Sequence, residues 1–275
     1  NHPVIGIAML ASPVLGLKPR DKELCLIYED FLNWATIKKI SMKELINMIK
    51  DEIRAALINL DYKKFISSKE LRSPNGYLIE ELARKIRALG YKQKALGNTN
   101  LNENEKDNIM FESKKLIRLK QLMERRIEIK KLEKDIKRFN LTIEKCKNNE
   151  NFKAIVQAFL NATRTKIMST DCMDLSVCGS IAPYNELIGG KLIGLLIASN
   201  EVSDMFDKKY GKSSSEIAKK IAGRNIRKKS NLKCITTSSL YGVHSSQYNR
   251  LKIKIGTNQE IYFKKLKDHS EGFGT

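Results

Sequence analysis

Two stretches decide the fold. Ala182-Pro183-Tyr184-Asn185-Glu186-Leu187-Ile188-Gly189-Gly190-Lys191-Leu192 opens an apolar helix. Thr236-Thr237-Ser238-Ser239-Leu240-Tyr241-Gly242-Val243-His244-Ser245-Ser246-Gln247-Tyr248-Asn249-Arg250 lies between two short strand-like runs. Polar loops that alternate with an apolar helix and short strands predict an α+β protein, a mixed sheet with packed helices. Hydroxyls, amides and glycines at this density make poor core material, because every buried polar group needs a partner. They suit a surface that grips something by hydrogen bonds. The ligand-binding candidates are therefore Tyr184, Asn185, Gly189, Gly190, Lys191, Thr236, Thr237, Ser238, Tyr241, Gly242, Ser245, Ser246, Gln247, Tyr248, Asn249 and Arg250.

Upstream, residues 3–17 read as a buried strand that ends in a turn at Ser12-Pro13. Residues 22–62 read as helical, with Ser41 and Glu44 forming a capping box ahead of the apolar face Leu45, Ile46, Ile49, Ile53, Ala56 and Leu57. Two helices around Ser73-Pro74-Asn75-Gly76 suggest either an ordinary helical hairpin or a DNA-reading helix-turn-helix. From Glu105 to about Lys147, apolar residues recur at three- and four-residue steps with almost no Gly or Pro. That periodicity predicts a long amphipathic helix, an element for packing or for contact with another protein, in the manner of a coiled coil. A further helix is expected over Phe152–Met168. The expected organisation is residues 1–50 and 151–275 as parts of one α/β core, with residues 51–150 as a helical insertion.

The C-terminal part is expected to hold helices over Lys191–Val202 and Ser215–Ile226. A strand near Cys234–Ile235 follows, then a hairpin of Leu251–Ile255 with Ile261–Lys264.

The Gly189-Gly190-Lys191 segment at a helix start has two readings. Glycines admit an anion to backbone N–H groups next to a lysine, but a tight loop packed on a sheet also uses glycines. The spacing matches neither a phosphate-binding loop nor a dinucleotide fingerprint. In the second stretch, Tyr241 and Tyr248 suit base stacking and Arg250 suits a phosphate. A hydrogen-bonded loop shaping a sheet edge explains the same residues. His244 beside Ser245 makes a poor nucleophile–base pair, because sequence neighbours rarely face each other. No catalytic residue is assigned, and paired carboxylates for metal-dependent cleavage are missing from this region.

The chain has 51 Lys+Arg against 31 Asp+Glu over 275 residues, a formal charge of +20. The excess concentrates late: from Lys208 to Thr275 there are sixteen Lys/Arg and four Asp/Glu. Such a balance favours polyanions, nucleic acid first, although a lysine-rich proteome contributes to it. The nucleic-acid candidates are Lys219, Lys220, Arg224, Arg227, Lys228 and Lys229, on and just after a helix whose apolar side is Ile217, Ile221 and Ala222. The five cysteines are widely spaced and only three histidines are present, so no metal site is expected and free thiols are the default reading. No apolar run is long enough to span a bilayer, and the expectation is a cytoplasmic protein without membrane contact. No cofactor is identified.

The segments PYNELIGGKL (183–192), IAKKIAGR (217–224), TTSSLYGVHSSQYNRLKI (236–253) and SEGFGT (270–275) resemble the DruA-type family of the Druantia anti-phage system, a domain of unknown function. HPVIGIAMLASPVL (2–15) and the pair Arg20-Asp21 resemble the family's upstream segment. The Ile-Gly-Trp run that usually follows there is replaced by Lys22-Glu23-Leu24-Cys25. The resemblance implies a prokaryotic defence role, with other defence subunits as partners through the long helix. It also implies that the chain is a piece of a longer protein, since more sequence follows Gly272–Thr275 in the family. The order of strand, Gly-Gly-Lys loop, apolar helix and strand is in addition similar to acyl-CoA N-acyltransferase folds, so an enzyme that holds an anionic cofactor in an α/β pocket is the alternative.

Overall fold

A computed structural model describes residues 3–97, 103–211, 216–225, 231–237, 248, 251–255 and 259–266. In chain order the elements begin with β1 (Gly6–Ala11), α1 (Lys18–Glu23), α2 (Tyr28–Ile37) and α3 (Met42–Ile58). Next come α4 (Ser68–Arg72), α5 (Gly76–Gly97), α6 (Glu103–Phe139), α7 (Ile143–Cys146) and α8 (Glu150–Thr170). The remainder is β2 (Cys172–Ser180), a 3₁₀ turn (Tyr184–Glu186), α9 (Gly190–Leu196), α10 (Asn200–Tyr210), α11 (Glu216–Ala222), β3 (Cys234–Thr236), β4 (Lys252–Ile255) and β5 (Gln259–Tyr262). The fold class is α+β and mostly helical. Among the described residues no helix is long and apolar enough to cross a membrane.

The chain divides into two compact units. One comprises Asn1–Ile27, Asn161–Ser213 and Arg227–Thr275; the other comprises Tyr28–Leu160 and Ser214–Ile226. In the first unit the sheet order is β1-β2-β3. Strands β1 and β2 are antiparallel from Gly6↔Ser180 to Ala11↔Asp174, with a register shift between Met9 and Leu10. Strands β2 and β3 are parallel, pairing Cys172↔Cys234, Met173↔Ile235 and Asp174↔Thr236. Strands β4 and β5 form a separate antiparallel pair. The expected buried first strand is instead an edge strand with Ile7 and Met9 exposed. Helix α9 lies against β1 so closely that a Cβ on Gly6 would sit 2.3 Å from Ile193 Cδ1.

The second unit is helical around one apolar core, which includes Leu45, Leu82, Leu119, Met123, Phe152 and Val156. Helix α6 packs along α3 and α5. The inner positions of its three- and four-residue apolar repeat, Leu116, Leu119, Leu122, Met123, Ile129 and Leu132, are buried. The long amphipathic helix is thus a packed spine of its unit. It ends earlier than its apolar pattern, because Asn140 adopts a left-handed φ of 45°, a conformation asparagine tolerates.

Ser41 caps α3 as its sequence predicts: its hydroxyl accepts from the Glu44 N–H, and the Glu44 carboxylate accepts from the Ser41 N–H. The Ser41 N–H foremost, and the Ser41 hydroxyl second, donate to Glu44 Oε2 and hold the Glu44 carboxyl below the usual carboxylate range. A depressed carboxylate contributes stability above its unfolded-state value and loses it as pH falls through the folded value. Ser41→Ala should cost about 1 kcal/mol. Because alanine keeps the backbone N–H, the melting temperature of the variant should fall only slightly less steeply than the parent's as pH is lowered through the acid range.

Candidate functional site

The site is built on the first unit. The β2 strand ends at Ser180, and the Ala182–Pro183 peptide is cis at the turn into the 3₁₀ helix. Ile181 O accepts from the Tyr184 and Asn185 N–H groups, and Tyr184 O accepts from Leu187 and Ile188. Tyr184 is half-buried, while Asn185, Gly189 and Lys191 are exposed. Gly189 precedes α9 with φ −63° and ψ 160°, angles open to any residue, and a Cβ there would meet nothing within 4 Å. Neither strain nor crowding therefore requires glycine at 189. Gly190 is held by its carbonyl, which lies 3.7 Å from Cys178 Sγ.

Of the second polar stretch, Thr236, Thr237 and Tyr248 lie within the described residues. Thr236 donates to Asp174 Oδ1 at 2.9 Å, and Thr237 donates to Leu175 O at 3.3 Å. Tyr248 stacks on Phe263, with ring centroids 5.1 Å apart. Its Cε1 lies 3.2 Å from where a Cβ on Gly194 would be, and Leu251 Cδ1 lies at 3.1 Å. The fold thus brings the two polar-glycine stretches together, because Tyr248 packs against the helix that Gly189-Gly190-Lys191 opens. One ring face of Tyr248 is already taken by Phe263. Ser238, Tyr241, Gly242, Ser245, Ser246, Gln247, Asn249 and Arg250 lie outside the described residues, as do Arg227, Lys228 and Lys229.

The remaining basic candidates belong to α11 and the residues after it, in the helical unit. Ala222 is buried and Ile221 packs on the core, as the amphipathic pattern predicts. Lys219 is exposed. Lys220 pairs with Asp107 at 3.4 Å and lies 4.9 Å from the centre of the Phe111 ring. Arg224 donates to Ile58 O at 3.2 Å. Lys220 and Arg224 thereby tie the segment to its own unit. Gly223 has φ +68°, and a Cβ there would lie 3.1 Å from Asp61 Oδ2. Gly223→Ala should cost about 1–2 kcal/mol by forcing a side chain into the left-handed region, read as a lowered denaturation midpoint.

Three groups near the site were not assigned a role from sequence. Asp174 is the acid beside the start of the second stretch, placed there by the β2–β3 register. Arg20 and Asp21 are buried, and Arg20 also donates to Val14 O at 2.7 Å and Leu15 O at 3.0 Å. Asp21 accepts from Arg20 at 2.8 Å and from the Leu17 N–H at 3.2 Å. Arg164 Nε of α8 is 3.0 Å from Asp21 Oδ2, an ion pair without hydrogen-bond alignment, and Arg164 Nη2 donates to Leu26 O. This network fixes the loop from Val14 to Leu17.

The third group is a thiol pair. Cys172 and Cys234 face each other across β2 and β3, against Leu24, Leu26, Ile167 and Met168. Cys172 Sγ donates to Met173 O at 3.9 Å; the adjacent Cys234 thiol foremost, and burial after it, push the Cys172 thiol well up. The adjacent Cys172 thiol foremost pushes the Cys234 thiol down, opposed by burial and assisted by the Arg20 charge. Among the described residues no group of three or more His, Cys, Asp or Glu is placed to hold a metal ion.

Residues 157–274 match the family model described as Druantia protein DruA. Druantia protein DruA of Escherichia coli (strain UMEA 4076-1) is 44% identical over 81 residues, which are 30% of this chain and 18% of that relative. The matched part is thus less than a fifth of the relative's length. No solved structure matches.

Proposed function

We propose that the chain, whose residues 157–274 match the DruA family model, is an anti-phage defence protein that acts through nucleic acid. The observation that carries this reading is the charge within that region: sixteen Lys/Arg against four Asp/Glu from Lys208 to Thr275. A cationic surface of that composition draws a phosphate backbone and releases its counterions. In this reading the Tyr184–Lys191 segment and the stretch from Thr236 to Arg250 form the gripping surface, anchored by the β2–β3 pair and α9. Arg227, Lys228 and Lys229 add phosphate contacts, and Lys219 offers one on the helical unit. A second defence subunit would use the polar outer side of α6, since the inner side is already packed.

The test is phage challenge of cells that carry the complete defence system, with two variants of this chain. Triple charge reversal at Arg227, Lys228 and Lys229 should abolish protection while the purified protein keeps its melting temperature. Gly189→Ala should fold like the parent, since nothing lies within 4 Å of the added methyl; loss of protection in it would assign Gly189 to the gripping surface. Full protection by the charge-reversal variant would overturn the nucleic-acid reading. Lost protection in Gly189→Ala with nucleic-acid affinity unchanged would favour an enzyme holding an anionic cofactor at Gly189-Gly190-Lys191.

A further inference from the structure

Cys172 and Cys234 are separated by 62 residues of sequence, yet they are direct partners in the parallel β2–β3 pair. Adjacent strands run about 4.7–4.9 Å apart. That spacing falls inside the roughly 4.4–6.8 Å Cα separation a disulfide spans. The two sulfurs share one small cluster with Leu24, Leu26, Ile167 and Met168. Cys172 is fully buried, whereas Cys234 is half-buried and so the sulfur a small oxidant reaches first. The charge of Arg20, whose guanidinium is fixed by Asp21, Val14 O and Leu15 O, acts on both thiols. Its positive charge favours a thiolate on Cys234, the form that reacts with peroxide.

We propose that Cys172 and Cys234 are a redox-modification site, converted by peroxide into a β2–β3 disulfide and restored by a thiol reductant. The Cys234 thiolate attacks one oxygen of hydrogen peroxide; an S–O bond forms, the O–O bond breaks and hydroxide leaves. Cys234 is then a sulfenic acid. The Cys172 sulfur attacks the Cys234 sulfur, the S–S bond forms, the S–O bond breaks, and the departing oxygen leaves as water with the Cys172 proton. Two thiols lose two electrons in total, and one peroxide becomes two waters. The product joins β2 to the three-residue strand β3, directly ahead of Thr236 and Thr237. Oxidation would therefore lock the anchor of the second polar stretch in the register seen here.

The experiment treats the folded full chain with stoichiometric hydrogen peroxide, alkylates remaining thiols and maps peptides by mass spectrometry. The expected result is a Cys172–Cys234 linked peptide that dithiothreitol removes, with Cys25, Cys146 and Cys178 still alkylated. Cys172→Ser should leave a sulfenic acid on Cys234 that dimedone traps, and Cys234→Ser should abolish oxidation of Cys172. Circular dichroism confirms that each variant is folded, and Cys172→Ala replaces the serine variant if the hydroxyl is not tolerated. Alkylation of both Cys172 and Cys234 while another cysteine oxidises would overturn the proposal. Oxidation of Cys172 that persists in Cys234→Ser would do the same.

Discussion

Asp21→Asn should destabilise the unit that carries it by about 3–5 kcal/mol, the cost of leaving buried charge without its counter-charge. Asp21 is the acid between Arg20 and Arg164, and both it and Arg20 are almost entirely out of water. Asparagine keeps the shape but leaves two guanidiniums facing one neutral amide. The Leu17 N–H and the carbonyls of Val14 and Leu15 would then lose the geometry that holds their loop. A guanidinium chloride titration followed by near-ultraviolet circular dichroism measures the loss. Triple replacement of Arg20, Asp21 and Arg164 by apolar residues of similar size should be milder than Asp21→Asn alone, because no unpaired charge remains. Asp21→Asn with an unchanged midpoint would show that the network contributes nothing to the fold.

The second large effect lies in the helical unit. Leu119→Ala should cost about 2–5 kcal/mol, the transfer free energy of the removed atoms plus the cavity they leave. Leu119 is fully buried on α6, whereas Ile117, two positions earlier on the same helix, is 41% exposed. Ile117→Ala is therefore the control and should change stability by well under 1 kcal/mol, in the range of ordinary surface substitutions. Equal effects of the two would mean that α6 does not pack in the register described. Urea midpoints of the two variants, taken with unchanged slope, decide the matter.

The long helix and the α3 cap were legible because both signals are local. Three- and four-residue steps from Ile109 to Ile136 fix one face of α6, and Ser41 with Glu44 marks a helix start whose bonds form as written. The hairpin of β4 with β5 was legible for the same reason, although its second strand is Gln259–Tyr262 and not Ile261–Lys264. Strand β2 was not: Cys172–Ser180 contains a single β-branched residue, Val177, and its burial follows no simple alternation. The expected helix over Lys191–Val202 breaks in two because Ser199 takes an extended conformation between α9 and α10.

In the site, residue types were legible but partners were not. Asp174 reaches Thr236 only through the β2–β3 register, and Cys172 meets Cys234 by the same pairing across 62 residues. Arg20 and Asp21 stood out only through the family resemblance; their third member, Arg164, is 143 positions from Asp21. Tyr248 suits either base stacking or a structural loop by its sequence, and the fold sets it against Phe263 and Gly194. Aromatic and polar residues carry no label that separates a ring packed within the chain from one offered to a ligand.

The most direct test of the nucleic-acid reading is fluorescence anisotropy of labelled single- and double-stranded DNA and RNA, titrated with the purified full chain at 50 and 200 mM salt. With about four phosphate contacts, affinity should fall roughly a hundredfold between the two conditions. The charge-reversal variant at Arg227, Lys228 and Lys229 should bind more weakly with a shallower salt slope. No binding to any of the four nucleic acids at 50 mM salt would contradict the account.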